Sequence, residues 1–200
     1  VQERVDLDSI EGVLNRRKEP PAEILLLGLV IPSSLNHLRF GIGMERAEEE
    51  KKRLDHIRRR IHHLDRLLWE EDKALGGEIQ LLQLGSSDFE GNPDSYLVKI
   101  EERTAEIQSR KPLETVLRLG FTGVPPIISD LYDAIERDGV RVVFSEVQRQ
   151  FTLPFGGTIG ESYTRYTYPY GIFARAEDIA LEVRRRRIDV VFVYGISPIL

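Results

Sequence analysis

The sequence predicts an α/β fold: a parallel sheet with a helical insert. Two observations carry that expectation. From Val116 onward, short apolar runs alternate with helical segments, the order that builds parallel βαβ units. Before them, a long charged stretch carries apolar residues at helical spacing.

The elements follow in order. "EILLLGLVI" (Glu23–Ile31) is short, apolar and preceded by "EPP", and reads as a buried strand. Met44 to Leu75 is rich in charge, with Leu54, Ile57, Ile61, Leu64 and Leu68 spaced by 3, 4, 3 and 4. That is an apolar seam on one helix face, expected to pack on a neighbouring helix and to stop at Gly76–Gly77. "SSDFEGNPDSY" is a polar turn cluster with Asn92 as a cap ahead of Pro93. A second helix is expected from about Asp94 to Arg110, with Tyr96, Leu97, Ile100 and Ile107 on one side, ended by "KPLE".

"VLRLGFTG" reads as a strand, "PPIISDLYDAIERDG" as a helix closed by Gly139, and "VRVVFSEV" as a second strand. "QRQFTLPFGGTIGESYTRYTYPYG" reads as a long irregular segment, "IFARAEDIALEVRRRR" as a helix and "IDVVFVYG" as a third strand. The expected organisation is a partial first α/β lobe over 1–40, a helical insert over 41–111 and a second α/β lobe over 112–200.

Composition bounds the function. The 200 residues are 41% hydrophobic and 30% charged, ordinary for a soluble protein. A net charge of -5 gives no reason to expect nucleic acid. The Arg runs at 58–60 and 184–187 read as solvated helix faces. No apolar run reaches the ~18 residues that span a bilayer, so no membrane partner is expected and the cytoplasm is the default location. With no cysteine, the chain makes no disulfide and offers no thiolate to zinc or to an iron–sulfur cluster. The chain starts at Val1 and stops soon after a strand too apolar to be exposed. The expectation is a fragment or degenerate gene product missing something at one or both ends, or a partner that supplies the cover.

Several groups have competing readings. "GFTGVPP" lies between a strand and a helix, and reads as an anion cradle or as a plain turn. There is no G-x-G-x-x-G or G-x-x-x-x-G-K-[ST]. His56, His62 and His63 lack metal-ligand spacing and read as surface or rim residues, and His37 as structural. "YTRYTYPYGIF" either lines a pocket or plugs a loop. Glu146, Arg149 and Gln150 follow a strand, a legitimate position for binding groups, with no base or nucleophile paired to them by the sequence.

Taken together, "LGFTGVPPIISDLYDAIERDGVRVVFSEVQRQF" and "YTRYTYPYGIFARAEDIALEVRRRRIDVVFVY" resemble the 2-hydroxyacyl-CoA dehydratase family. The likeness is nearest to the D-component of 2-hydroxyglutaryl-CoA dehydratase and to benzoyl-CoA reductase subunits. It covers roughly residues 24 to 196, including "LLQLGSSDFEGNPDSYL" and "GLVIPSSLNHLR".

The resemblance implies Rossmann-like lobes with a helical part, and a lyase of anaerobic metabolism that eliminates water from a 2-hydroxyacyl-CoA. It implies a [4Fe–4S] cluster held by cysteines between the lobes, a second subunit, and an ATP-dependent activator that injects an electron. At the family's cysteine positions this chain has Leu35 and, near its end, Ile199, so no cofactor is expected on this chain and no catalytic residue is assigned. If a substrate site remains, the resemblance and strand-end position nominate Ser33, Ser34, Thr122, Gly123, Gln150, Tyr166, Tyr168 and Tyr170. The expected partners are an acyl-CoA and a second copy or dehydratase subunit. Two rival expectations are a non-enzymatic interaction protein that uses the helical seam and a strand edge, and an unrelated small-ligand-binding α/β domain.

Overall fold

A computed structural model of the chain describes residues 44–165 and 172–194. The expected strand Glu23–Ile31 lies outside them. So do Ser33, Ser34, Leu35, His37, Tyr166, Tyr168, Tyr170 and Ile199.

Three helices form the first layer. Helix α1 runs Met44–Trp69, α2 Gly76–Gly85 and α3 Pro93–Ser109. The seam of α1 is buried as its spacing predicts, through Ile57, Ile61, Leu64 and Leu68, with Leu54 partly covered. It packs on Ile79 and Leu82 of α2 and on Tyr96, Ile100 and Ile107 of α3. Asn92 caps α3, its side-chain oxygen accepting from the Ser95 N–H at 3.1 Å.

The glycine pair corrects one expectation. Helix α1 ends at Trp69, and Gly76–Gly77 begin α2 instead of stopping α1. Both glycine N–H groups donate to the Glu136 carboxylate, at 2.8 and 2.9 Å. A Cβ at Gly76 would collide with the backbone of Val142. Close backbone approach, not chain termination, explains Gly76.

The sheet has three parallel strands, β1 (Leu117–Gly123), β2 (Val140–Ser145) and β3 (Val190–Tyr194), in the order β2-β1-β3. Between β1 and β2 lies the short helix α4 (Leu131–Ile135). Helices α5 (Glu146–Phe151), α6 (Ile159–Thr164) and α7 (Ile172–Arg185) connect β2 to β3. The fold is therefore α/β with a parallel sheet, consistent with a Rossmann-like lobe. One sheet face packs Phe121 and Val142 under Tyr132, Leu131 and Ile135. The other packs Val143 and Phe144 under Ile179 and Val183 of α7 and Trp69 of α1.

Three further readings change. Helix α4 is only five residues, not the span from Pro125 to Gly139. The supposed irregular segment after β2 contains most of α5 and all of α6, and α6 opens on a Thr158–Glu161 capping box. The second Arg run is not wholly solvated, because Arg186 is 2% exposed. Its guanidinium bonds Asp65, Glu182 and the Val143 carbonyl. Arg58 is also largely covered, paired with Asp55 at 2.9 Å. Strand β3 is apolar yet open among the described residues, Val190 to Val193 being 38–74% exposed, in keeping with the expectation of a strand whose cover must come from elsewhere.

Candidate functional site

In a sheet ordered β2-β1-β3, the connection from β1 leads to one side and β3 is reached from β2 by crossing β1. The direction of winding reverses at the β1/β3 pair, and such points open a crevice at the carboxyl ends of the strands. Gly123 ends β1 there, opposite Tyr194. Its φ of 105° suits glycine, and a Cβ would strike the Tyr194 carbonyl oxygen. The two strand ends can approach this closely only with glycine at 123.

Glu146 follows β2 directly and is buried at the same edge. Its Oε2 accepts the Gly123 N–H at 3.2 Å and Arg175 Nη2 at 2.8 Å, while its Oε1 accepts Arg175 Nε. One carboxylate thereby ties the ends of β1 and β2 to the first turn of α7. Three residues along each helix the polarity reverses: Arg149 of α5 pairs with Asp178 of α7. Asp178 also accepts from Gln150 Nε2 at 3.2 Å. Two opposed ion pairs therefore hold α5 and α7 in register.

Helix α5 is polar yet buried, with Glu146, Gln148, Arg149 and Gln150 all covered. Gln148 Nε2 donates to the Tyr132 hydroxyl at 3.4 Å, and that hydroxyl bonds Ser145 Oγ at 2.8 Å. Burial pushes the Tyr132 hydroxyl pKa far up, so it stays protonated. Among the described residues, Gln148 Oε1 and Arg149 Nε make no hydrogen bond. Buried groups with spare hydrogen-bonding capacity are uncommon in packed interiors.

Of the nominated site residues, the structure brings Thr122 and Gly123 to this edge. Thr122 is buried, its hydroxyl donating to the Phe192 carbonyl at 3.4 Å. Gln150 lies one turn along α5, also buried. The sequence reading did not single out Arg175 and Asp178. The signal was present: Glu146/Arg149 and Arg175/Asp178 share a three-residue spacing with opposite charge order, which pairs only when the two helices lie side by side. Among the described residues no group of three or more His, Asp or Glu side chains is placed to hold a metal ion. The thiolate donors of a [4Fe–4S] cluster are missing from the sequence itself, so this donor set does not fit one.

His62, on α1, bonds the Thr152 carbonyl and hydroxyl at 3.2 and 3.0 Å just past α5. Burial lowers its pKa, partly offset by the Thr152 contact. No helix among the described residues is long and apolar enough to cross a membrane.

No protein-family model matches this chain, and neither does any curated protein or solved structure.

Proposed function

We propose that this chain is a 2-hydroxyacyl-CoA dehydratase-like subunit that binds an acyl-CoA at the carboxyl edge of its sheet, does not catalyse the elimination alone, and works in the cytoplasm. The supporting observation is a convergence. Gly123 belongs to "TGVPP" and Arg175 to "GIFAR", the two stretches that carry the family resemblance, and both meet at the Glu146 carboxylate. Segments about fifty residues apart in sequence thus meet at one carboxylate on the carboxyl edge of the sheet. Among the described residues Arg175 is a partly exposed cation at that edge; paired with Glu146, it is of the type that recognises a phosphate or carboxylate of the thioester.

In this reading the described residues at the edge position and bind the thioester. Glu146 is committed to Arg175 and Gly123, and Arg149 to Asp178. A cluster, if the reaction uses one, comes from a second subunit that supplies the thiolates, and the activator acts on that subunit. Calorimetric titration with a panel of 2-hydroxyacyl-CoA thioesters tests the reading, with free CoA as reference. Saturable one-to-one heat, lost in a folded Arg175→Ala variant, supports it. Absence of heat with every thioester overturns it.

A specific observation favours the interaction reading as well: the exposed apolar row of β3.

A further inference from the structure

The two edges of the sheet are treated differently. On the outer edge of β2, the Val142 N–H donates to Glu136 Oε1 at 3.0 Å. The Val143 carbonyl accepts from Arg186 Nη1 at 2.8 Å. Gly76 of α2 packs against the same strand. Side chains and a helix have closed that edge, as monomeric sheets do to prevent strand addition.

Among the described residues strand β3 has none of this protection, and nothing pairs with its outer edge. Its sequence, "VVFVY", contains no charge, proline or glycine. The Phe192 carbonyl faces β1, where the Thr122 hydroxyl reaches it. Backbone groups alternate along a strand, so those of Val191 and Val193 point outward.

We propose that β3 is a self-association edge that takes β3 of a second copy of this chain, antiparallel, about a two-fold axis at Phe192. That arrangement pairs the outward residues with each other. Val191 of each copy exchanges both N–H···O bonds with Val193 of the other. Phe192 meets Phe192 in the intervening non-hydrogen-bonded pair, where side chains lie closest. The strand is self-complementary: every position meets an apolar one, and no like charges oppose. A partner strand bearing charge would desolvate it against Val and Phe, so a second copy fits better than a polar peptide. The proposal is independent of the acyl-CoA reading.

The test is the mass in solution of the full chain by size-exclusion chromatography with light scattering, over a concentration series. The expected result is twice the chain mass for wild type and a single chain mass for Val193→Lys. Leu81→Lys, on an exposed position of α2, should leave the dimer intact. In a chain without cysteine, Phe192→Cys should form an interchain disulfide on mild oxidation, whereas Leu81→Cys should not. The disulfide test does not depend on Val193→Lys folding. A monomeric wild type overturns the proposal, including one whose β3 amides resist hydrogen exchange because the chain covers its own edge. A dimer that persists in Val193→Lys without Phe192 cross-linking also overturns it.

Discussion

Arg186 and Asp65, 121 residues apart, share two hydrogen bonds of 3.0 and 2.6 Å, and this pair ties the residue just past α7 to the C-terminal part of α1. Glu182 completes a triad from the other side of the guanidinium. Burial alone would push both carboxyl pKa values up, but the surrounding cations, Arg186 foremost and Arg149 with it, together hold both below the ordinary range. Replacing Arg186 with Met removes the cation that the two buried carboxylates share, leaving Glu182 with Arg185 at 3.4 Å and Asp65 with the Gln83 amide at 3.2 Å. The expected cost is about 3–5 kcal/mol, read as a lower denaturation midpoint. Arg186→Met/Asp65→Leu/Glu182→Leu should recover most of that loss, because an apolar triad of similar volume carries no unpaired charge. Failure to recover would mean that the cation itself, through the Val143 carbonyl, sets the stability.

The same triad fixes a pH dependence. Asp65 and Glu182 have folded pKa values below their unfolded ones, so their contribution is present above about pH 4 and fades as pH falls further. His62 acts in the same direction at higher pH. Its folded pKa is lowered, so the unfolded chain takes the proton first and stability declines as pH drops below about 6.5. Urea titrations at pH 7.5, 6 and 5 should show this decline for wild type, and His62→Gln should flatten it.

Glu146→Gln keeps an acceptor for the Gly123 N–H but removes the charge that holds Arg175. With Arg175 partly exposed, the expected loss lies between those of a buried and a surface pair, about 2 kcal/mol. The variant should also loosen the start of α7, seen as faster amide exchange there and not in α3. Uniform acceleration across both helices would show that the pair has only a global role.

Gly123→Ala combines a left-handed backbone with a collision against Tyr194. It should cost about 2 kcal/mol or more and part the ends of β1 and β3. By contrast, Gly160→Ala has open space and no unusual φ, so it should be neutral or slightly stabilising. Thermal melts of the two variants give the comparison directly.

How much of this was legible in the sequence depends on what kind of signal each residue leaves. The seam Ile57–Ile61–Leu64–Leu68 and the βαβ alternation were readable because periodicity reports burial directly. Gly76–Gly77 misled because a glycine pair marks helix ends as readily as close approaches, and Val142 lies far along the chain. Arg186 was indistinguishable from its neighbours in "RRRR": only Asp65, Glu182 and the Val143 carbonyl set it apart, and two of these lie far off in sequence. Helix α5 looked like a strand's polar tail, since "EVQRQF" lacks an apolar stripe and is buried by what surrounds it. At the candidate site, Gly123 and Glu146 were visible by strand-end position. Their union through Arg175 needed the packing of α7 on the sheet.

The carboxylate of Glu136 accepts from the first turn of α2 and from the edge of β2 at once. Arg118 does the reverse, donating from β1 to the Trp69 carbonyl and to Asp72, 2.9 Å away, beyond the end of α1. Neither the helical layer nor the sheet can open without stripping hydrogen bonds from the other. The two layers therefore behave as one cooperative unit, with their slowest amides reporting a single opening free energy.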